Sequence, residues 1–465
     1  MSSSHDVVVV GGGPGGYAAA LYGAAAGLDV ALVEKQKLGG TCLHVGCIPA
    51  KELLETASVY RTVVHADQFG IAAGSPTVDM GAAQARKQKI VDQLHKGVGK
   101  LLEGRKVTVL DGWGSLGPDR TVSVSGGESG DATLTADHVI LATGSVPRTL
   151  PGFEVDGERV LTSDELLSIT DLPERAAIIG GGAIGLEFAS MLADLGTKVT
   201  VLEALPRILL GADDDVVKML TRAFKKRKIE IRTGVVVNGC RDNGDSVELA
   251  IEGADPLGVD AVVVCVGRRP FTDGLGLDAA GVKVDDGGYV AVDEFCQTSA
   301  AGVYAVGDVV NTPQLAHVAF AEAIMVVKHL LGESPSPMDY ANVPWAIYCH
   351  PEVAFVGHTE ASAQEAGFDV VASMHRFIGN GRAMIVGDTD GLVKVIADRC
   401  DDGTAGRILG VHMVGPWVTE QLGQGYLAVN WEATVPEVAE FIQPHPTMSE
   451  LFGETVLSLT GRALH

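Results

Sequence analysis

Cys42 and Cys47 are the two side chains whose type and spacing most clearly suit electron transfer. They lie within Gly39-Gly40-Thr41-Cys42-Leu43-His44-Val45-Gly46-Cys47-Ile48-Pro49-Ala50-Lys51. A zinc site would need CxxC spacing and a second pair of ligands, and the sequence supplies neither, so no metal is expected. The seven cysteines are odd in number, and Cys240, Cys265, Cys296, Cys349 and Cys400 are scattered. That is no secreted disulfide framework, and a purely structural bridge does not suit the reducing compartment it implies. A redox-active dithiol remains, close to the start of the helix-like run Glu52 to Val59. There the helix dipole and Lys51 are expected to lower the thiolate pKa. His44, between the two cysteines, is read as a bystander; the alternative is that it shifts their poise.

The elements around this pair are those of nucleotide binding. Val7-Val8-Val9-Val10 reads as a strand buried on both faces. It runs into Gly11-Gly12-Gly13-Pro14-Gly15-Gly16 and a helix-like Tyr17 to Ala26. Gly11 permits the tight turn, Gly13 lets backbone approach a pyrophosphate, and Gly16 lets helix pack on strand. The helix N-terminus then faces the phosphate charge. A second strand, Asp29 to Val33, leads to Glu34, placed for a ribose diol. One such loop in a glycine-rich chain is weak evidence. It recurs: strand Ala176 to Ile179, loop Gly180-Gly181-Gly182-Ala183-Ile184-Gly185, helix Leu186 to Leu195, strand Lys198 to Leu202 and acid Glu203. Each acid follows its first glycine by 23 residues, so the sequence predicts two bound dinucleotides. A carboxylate at Glu203 holds a 2′-hydroxyl and repels a 2′-phosphate, which favours NAD over NADP. Arg207 nearby is read as a solvated surface arginine.

Composition narrows the rest. A length of 465 residues suits roughly three or four domains. The formal net charge of −24 argues against nucleic acid and leaves an acidic surface on which a basic protein can dock. The first strand starts too early to leave room for a cleavable leader, and no apolar run reaches the ~18–20 residues of a membrane helix. A soluble cytoplasmic protein is expected.

Over essentially its whole length the chain resembles the pyridine nucleotide–disulfide oxidoreductases. The segments that carry the resemblance are the Gly11 loop, Cys42–Cys47, Ala142-Thr143-Gly144, the Gly180 loop, Val264-Cys265-Val266-Gly267-Arg268-Arg269-Pro270, Val303 to Asp308 and His445-Pro446-Thr447-Met448-Ser449-Glu450. Glu203, Ile347 to Val353 and Thr389 to Lys394 read like its lipoamide branch, and Thr460 to His465 lacks the terminal cysteine pair of mercuric reductases. Departures are His44 for a common Asn, Ala50 for Ser, Cys349 for Thr and Met448 for Leu.

The resemblance implies an α/β fold with two Rossmann-like dinucleotide-binding domains and a C-terminal α+β dimerisation domain. The expected boundaries are 1–149 for FAD, 150–270 for NAD, 271–342 for a central domain returning to FAD, and 343–465 for the interface. Ser145-Val146-Pro147 through Gly152 reads as a turn-rich linker, and Arg268-Arg269-Pro270 as the end of a buried strand. Around FAD the resemblance places Gly11, Gly13, Gly16, Glu34, Gly114, Thr143, Gly144, Asp308 and Gln314-Leu315-Ala316-His317. Lys51 and Glu187 match an ion pair beside the flavin. Gly180, Gly182, Gly185 and Glu203 fall on the NAD side, and Gly267 is a further cofactor-binding position. Alone, Asp308 reads as a turn former and His445 as a loop histidine; the resemblance makes one a cofactor anchor and the other a base oriented by Glu450 of the same motif. The implied reaction oxidises protein-bound dihydrolipoamide with NAD⁺ through Cys42, Cys47 and FAD in a homodimer. Its partners would be lipoyl domains of 2-oxo acid dehydrogenase complexes or of glycine cleavage. The alternatives are an NAD(P)H-driven reductase of another disulfide, and a docking subunit with a structural flavin.

Overall fold

The structure, a computed structural model, describes residues 2–127 and 130–464, so His465 of the C-terminal segment lies outside the described residues. The valine run is the end of a longer strand, Ser2–Val10, in which Val7 to Val10 are almost fully buried. Alternation sends Val8 and Val10 into one core with Val139 and Ala305, and Val7 and Val9 into another with Ala20 and Leu32. A strand apolar on both faces is therefore interior to its sheet, as the sequence indicated.

The chain forms two units, residues 1–53, 81–148 and 267–340 in one and 54–80, 149–266 and 341–465 in the other. In the first unit, Thr108–Asp111, Val30–Glu34, Ser2–Val10, Ala132–Leu141 and Val303–Ala305 lie side by side and parallel. Ala132–Leu141 changes partner along its length. Its first half pairs antiparallel with Thr121–Ser125, while Val139 to Leu141 take Val303–Ala305. Helices Pro14–Ala25 and Ala316–Leu330 pack against each other through small residues such as Gly15 and Ala319.

The second unit repeats the pattern with Glu230–Thr233, Lys198–Glu203, Arg175–Ile179, Ala261–Val264 and Val160–Thr162, all parallel. It adds an antiparallel meander from Val237 to Val259 and a five-stranded antiparallel sheet from Trp345 to Gly415. Val395, Val411 and Met413 of that sheet share a core with Phe452 and Val456 of the helix Glu450–Leu459. The expected fold class, two Rossmann-like halves and a C-terminal α+β portion, is the observed one.

Two local expectations change. The buried strand ends at Val264, and Gly267, at φ +96°, separates it from a short strand of its own, Arg268–Pro270. That strand pairs antiparallel with Ser145–Pro147, so the expected linker is at its start half of a two-stranded ribbon. The helix expected from Glu52 begins instead at Cys47 and runs to Val64. Pro49 sits in its first turn, where a missing N–H breaks no helical bond, so it does not delay the start.

Candidate active site

The two glycine loops show the same division of labour. A Cβ on Gly11 would lie 2.4 Å from Ala142 O, and one on Gly16 1.7 Å from Gly11 O. The counterparts are 2.3 Å from Cys265 O at Gly180 and 2.1 Å from Gly180 O at Gly185. The first and third glycines are thus demanded by backbone packing. The second is not: a Cβ on Gly13 would find nothing nearer than 3.9 Å, and one on Gly182 nothing within 4 Å. Both middle glycines cap their helices, Pro14–Ala25 and Ala183–Asp194, with no side-chain cap and no acid in the first turn. Each helix thus presents uncapped N–H groups to an anion.

Glu34 and Glu203 are equally matched. Glu34 accepts from Gly12 N at 2.6 Å and Gln36 N at 2.7 Å. Glu203 accepts from Gly181 N at 2.6 Å and Leu205 N at 2.8 Å. Each acid ties its own loop down, and each oxygen keeps a second lone pair for a ribose hydroxyl. Arg207 is not the solvated arginine expected. Its guanidinium bonds Asp214 and the carbonyl of Ala212, which fold the following loop around it.

On the flavin side, Thr143 Oγ1 donates to Phe271 O at 2.7 Å, and Gly144, at φ +71°, accepts from Phe271 N at 2.9 Å. Gly267 O accepts from Arg148 N at 3.0 Å. Gly114 lies in the strand Trp113–Leu116, where a Cβ would come within 2.9 Å of Val10. Asp308 accepts from Ser145 Oγ at 2.6 Å, and Arg268 Nε donates to that hydroxyl at 2.7 Å. Leu315 caps the helix Ala316–Leu330, so His317 lies in its first turn. Gln314 Nε2 is buried with no protein partner among the described residues. A buried donor left unpaired is costly, and an acceptor on a bound cofactor relieves that cost. The residues present fit a flavin dinucleotide.

Glu322 belongs to this side as well, although no motif marks it. This buried carboxylate accepts from Gly307 N at 2.6 Å and Tyr340 OH at 2.9 Å, which fixes the turn bearing Asp308. Burial holds its pKa above the usual carboxylate range. A lone acid in the apolar run from Ala316 to Leu330 was the signal available.

Cys42 lies in the short helix Gly40–His44, and Cys47 opens the next helix. The two thiols are in side-chain hydrogen-bond contact. The expected lowering of thiol pKa does not hold at Cys42. The bond to Cys47 and then burial push its pKa up, and Lys51 only partly opposes them. The dipole acts at the first residue of the helix, which is Cys47. Two adjacent thiols also resist carrying two negative charges, so they titrate as a pair. Tyr17, directly after the glycine loop, is also at this centre. Its phenol is pushed up to about 12 by burial and by the negative charge of Cys42 and Cys47. His44 turns away to Leu38 O, at 2.9 Å.

In the second unit Glu187 is buried in the helix Ala183–Asp194 and accepts from Tyr348 N at 2.9 Å. Glu450 begins its helix, with Oε2 accepting from Thr447 N and Oε1 bonded to His445 Nδ1, both at 2.7 Å. A carboxylate only accepts, so Nδ1 carries the hydrogen and neutral His445 keeps Nε2 as a proton acceptor. The imidazole is 78% exposed and ready to meet another surface.

Paired dinucleotide loops, a vicinal dithiol and an oriented histidine together define a nicotinamide- and flavin-dependent disulfide oxidoreductase. The chain belongs to the pyridine nucleotide-disulphide oxidoreductases: residues 5–323 match that family, and residues 343–456 match its dimerisation domain. FAD and NAD are its cofactors. Among similar proteins, dihydrolipoyl dehydrogenase of Bacillus subtilis is 44% identical over the full length of both chains, and that of Cupriavidus necator 39%. Among solved structures, LpdA from Mycobacterium tuberculosis has a TM-score of 0.91 at 26% identity, covering 99% of this chain and all of that one. The HOCl-induced flavoprotein disulfide reductase RclA from Escherichia coli has a TM-score of 0.87 at 28% identity, covering 97% of this chain and 99% of that one. Among the described residues no helix is long and apolar enough to cross a membrane.

Proposed function

We propose that this protein is a dihydrolipoyl dehydrogenase, oxidising protein-bound dihydrolipoamide to lipoamide with NAD⁺. The observation that carries the reading is the pairing of a contacting Cys42–Cys47 dithiol with a histidine whose Nε2 is freed by Glu450. His445 Nε2 takes the proton of a dihydrolipoyl thiol, and Glu450 stabilises the resulting cation. The substrate thiolate attacks Cys42 Sγ, the Cys42–Cys47 bond breaks, and Cys47 departs as a thiolate. The second substrate thiol, once deprotonated, attacks the mixed disulfide, closing lipoamide and releasing Cys42. A bound flavin would supply the two-electron acceptor that links the dithiol to NAD⁺.

Gly11, Gly13, Gly16 and Glu34 hold the adenosine side of FAD. Gly114, Thr143, Gly144, Asp308 and Gln314 to His317 line the rest, with Lys51 and Glu187 beside the ring. Gly180, Gly182, Gly185 and Glu203 hold NAD, and Gly267 is a further cofactor contact. His445 and Glu450 serve the dithiol of the partner subunit, which makes the homodimer the catalytic unit. The boundaries at 149, 270 and 342 divide the chain into FAD, NAD, central and interface domains. The enzyme works in the cytoplasm on lipoyl domains of 2-oxo acid dehydrogenase complexes or of glycine cleavage.

Steady-state assays with dihydrolipoamide and each nicotinamide cofactor test this. Turnover with NAD⁺ is expected. Turnover only as an NADPH-driven reductase of a small disulfide would overturn the assignment in favour of a general disulfide reductase.

A further inference from the structure

The peptide carbonyl of Leu38 accepts two imidazoles at once. His44 Nε2 and His95 Nδ1 both lie 2.9 Å from it, with ring centroids 5.2 Å apart in an edge-to-face arrangement. A carbonyl has two lone pairs and no proton, so both nitrogens must be the protonated ones. His44 belongs to the helix of Cys42, and His95 to the long helix Met80–Gly104. Leu38 ends the stretch leading into Gly39–Gly40, where the Cys42 helix begins, and Gly39 N donates to Gly12 O at 2.8 Å. The corner is therefore tied to the dinucleotide loop on one side and the long helix on the other. The same long helix grips the far side of the redox motif: Arg86 bonds Glu52, one residue after Lys51, at 2.5 Å.

We propose that His44 and His95 are positioning residues that, through Leu38 O, hold the Cys42 helix where its thiol meets Cys47 and thereby set the disulfide–dithiol equilibrium of the centre. Two thiols held face to face have a high effective concentration, which favours the bonded form. Both histidines act through this backbone carbonyl. Burial keeps His44 below its ordinary pKa, and His95, Lys37 and Glu34 are the charged or titratable groups around it. The inference rests on the Cys42–Cys47 reading.

The test equilibrates flavin-loaded protein with dithiothreitol and its cyclic disulfide, then counts free thiols by alkylation. Reduction transfers two electrons and two protons from dithiothreitol to the Cys42–Cys47 bond. His44→Ala and His95→Ala are each expected to shift the equilibrium at least threefold toward dithiol, with flavin content unchanged. His44→Gln and His95→Asn place an amide N–H where each ring had its donor and are expected to restore it. Alanine variants that shift it less than threefold would overturn the clamp, as would glutamine and asparagine variants no better than alanine. A purely structural role would lower the melting temperature and leave the equilibrium in place. If the wild-type cysteines never form a bond, the redox reading itself fails; if they do and the variants follow wild type, only the clamp fails. Should either alanine variant not fold, the other reads the same carbonyl from a different helix.

Discussion

At the residue scale, the site rests on side chains with two tasks. Glu203 is the sharpest case, because the carboxylate proposed to select a ribose diol also holds the Gly181 N–H. Glu203→Ala is expected to raise the KM for NAD⁺ roughly tenfold or more, since a lost charged hydrogen bond costs about 1.5–3 kcal/mol. NADP⁺ should gain only when an arginine is added nearby; wild type using both cofactors equally would refute the argument. Cys47→Ser should abolish dihydrolipoamide oxidation and keep FAD bound, because the groups proposed to bind the flavin are the Gly11 loop, Glu34 and Asp308. Loss of flavin together with activity, read by absorbance after gel filtration, would make the segment structural. The glycine loops and both acids were legible because backbone packing dictates them locally. The backbone duties of those acids were not, since bonds to Gly12 and Gly181 depend on how the chain folds back. Nor was His95, which lies 57 residues from the carbonyl it holds.

At the element scale, the strand Ala405–Gly415 carries His412, fully buried and stacked on Phe355 with ring centroids 5.5 Å apart. Its Nε2 donates to His358 O at 2.9 Å and its Nδ1 accepts from Asp213 N at 3.3 Å, so the neutral ring is fully used. Burial lowers its pKa to about 4. The unfolded chain therefore binds a proton at higher pH than the folded one. Stability is constant above about pH 6.5 and falls as pH drops toward 4, by up to about 3 kcal/mol from this group. His412→Leu is expected to be less stable at neutral pH but to show a shallower decline, which denaturant melts at pH 7, 6 and 5 would measure. Parallel slopes would remove His412 as the cause. The same region holds Lys394, whose ammonium bonds Asp213, Asp215 and Glu360 at 2.7–2.9 Å. Burial opposes its charge, but the three carboxylates outweigh that and raise its pKa. Lys394→Met should cost about 3–5 kcal/mol, because it leaves Asp213 buried without its cation. Thr389 to Lys394 was legible only as a stretch resembling the lipoamide branch; nothing local hinted that Lys394 would be buried in the strand Leu392–Arg399 against carboxylates up to 181 residues away.

At the scale of the whole molecule, the proposed shared site makes a quantitative demand. Mixing Cys42→Ser subunits with His445→Gln subunits under exchange gives heterodimers with one site doubly defective and one intact. At random exchange about a quarter of wild-type activity should return if the sites act independently. Demonstrated exchange without recovery would place dithiol and base in one chain. The division into two sheets of similar pattern was legible in the repeated motif; the assignment of residues 54–80 to the second unit was not, because nothing local in that stretch announces its packing. The partner change along Ala132–Leu141 bears on how the protein is made. Val139 to Leu141 must wait for Val303–Ala305, about 160 residues later in the chain. At ribosomal speeds of about 5–20 residues per second that is a delay of roughly 8–30 s. The parallel sheet between Val160 and Val264 is contiguous and can close within that interval. During it the first sheet has a raw apolar edge, open to chaperones or to a neighbouring nascent chain. Asp308, three residues beyond the missing strand, is translated in the same segment, so the proposed flavin site cannot be complete until about two thirds of the chain has been made.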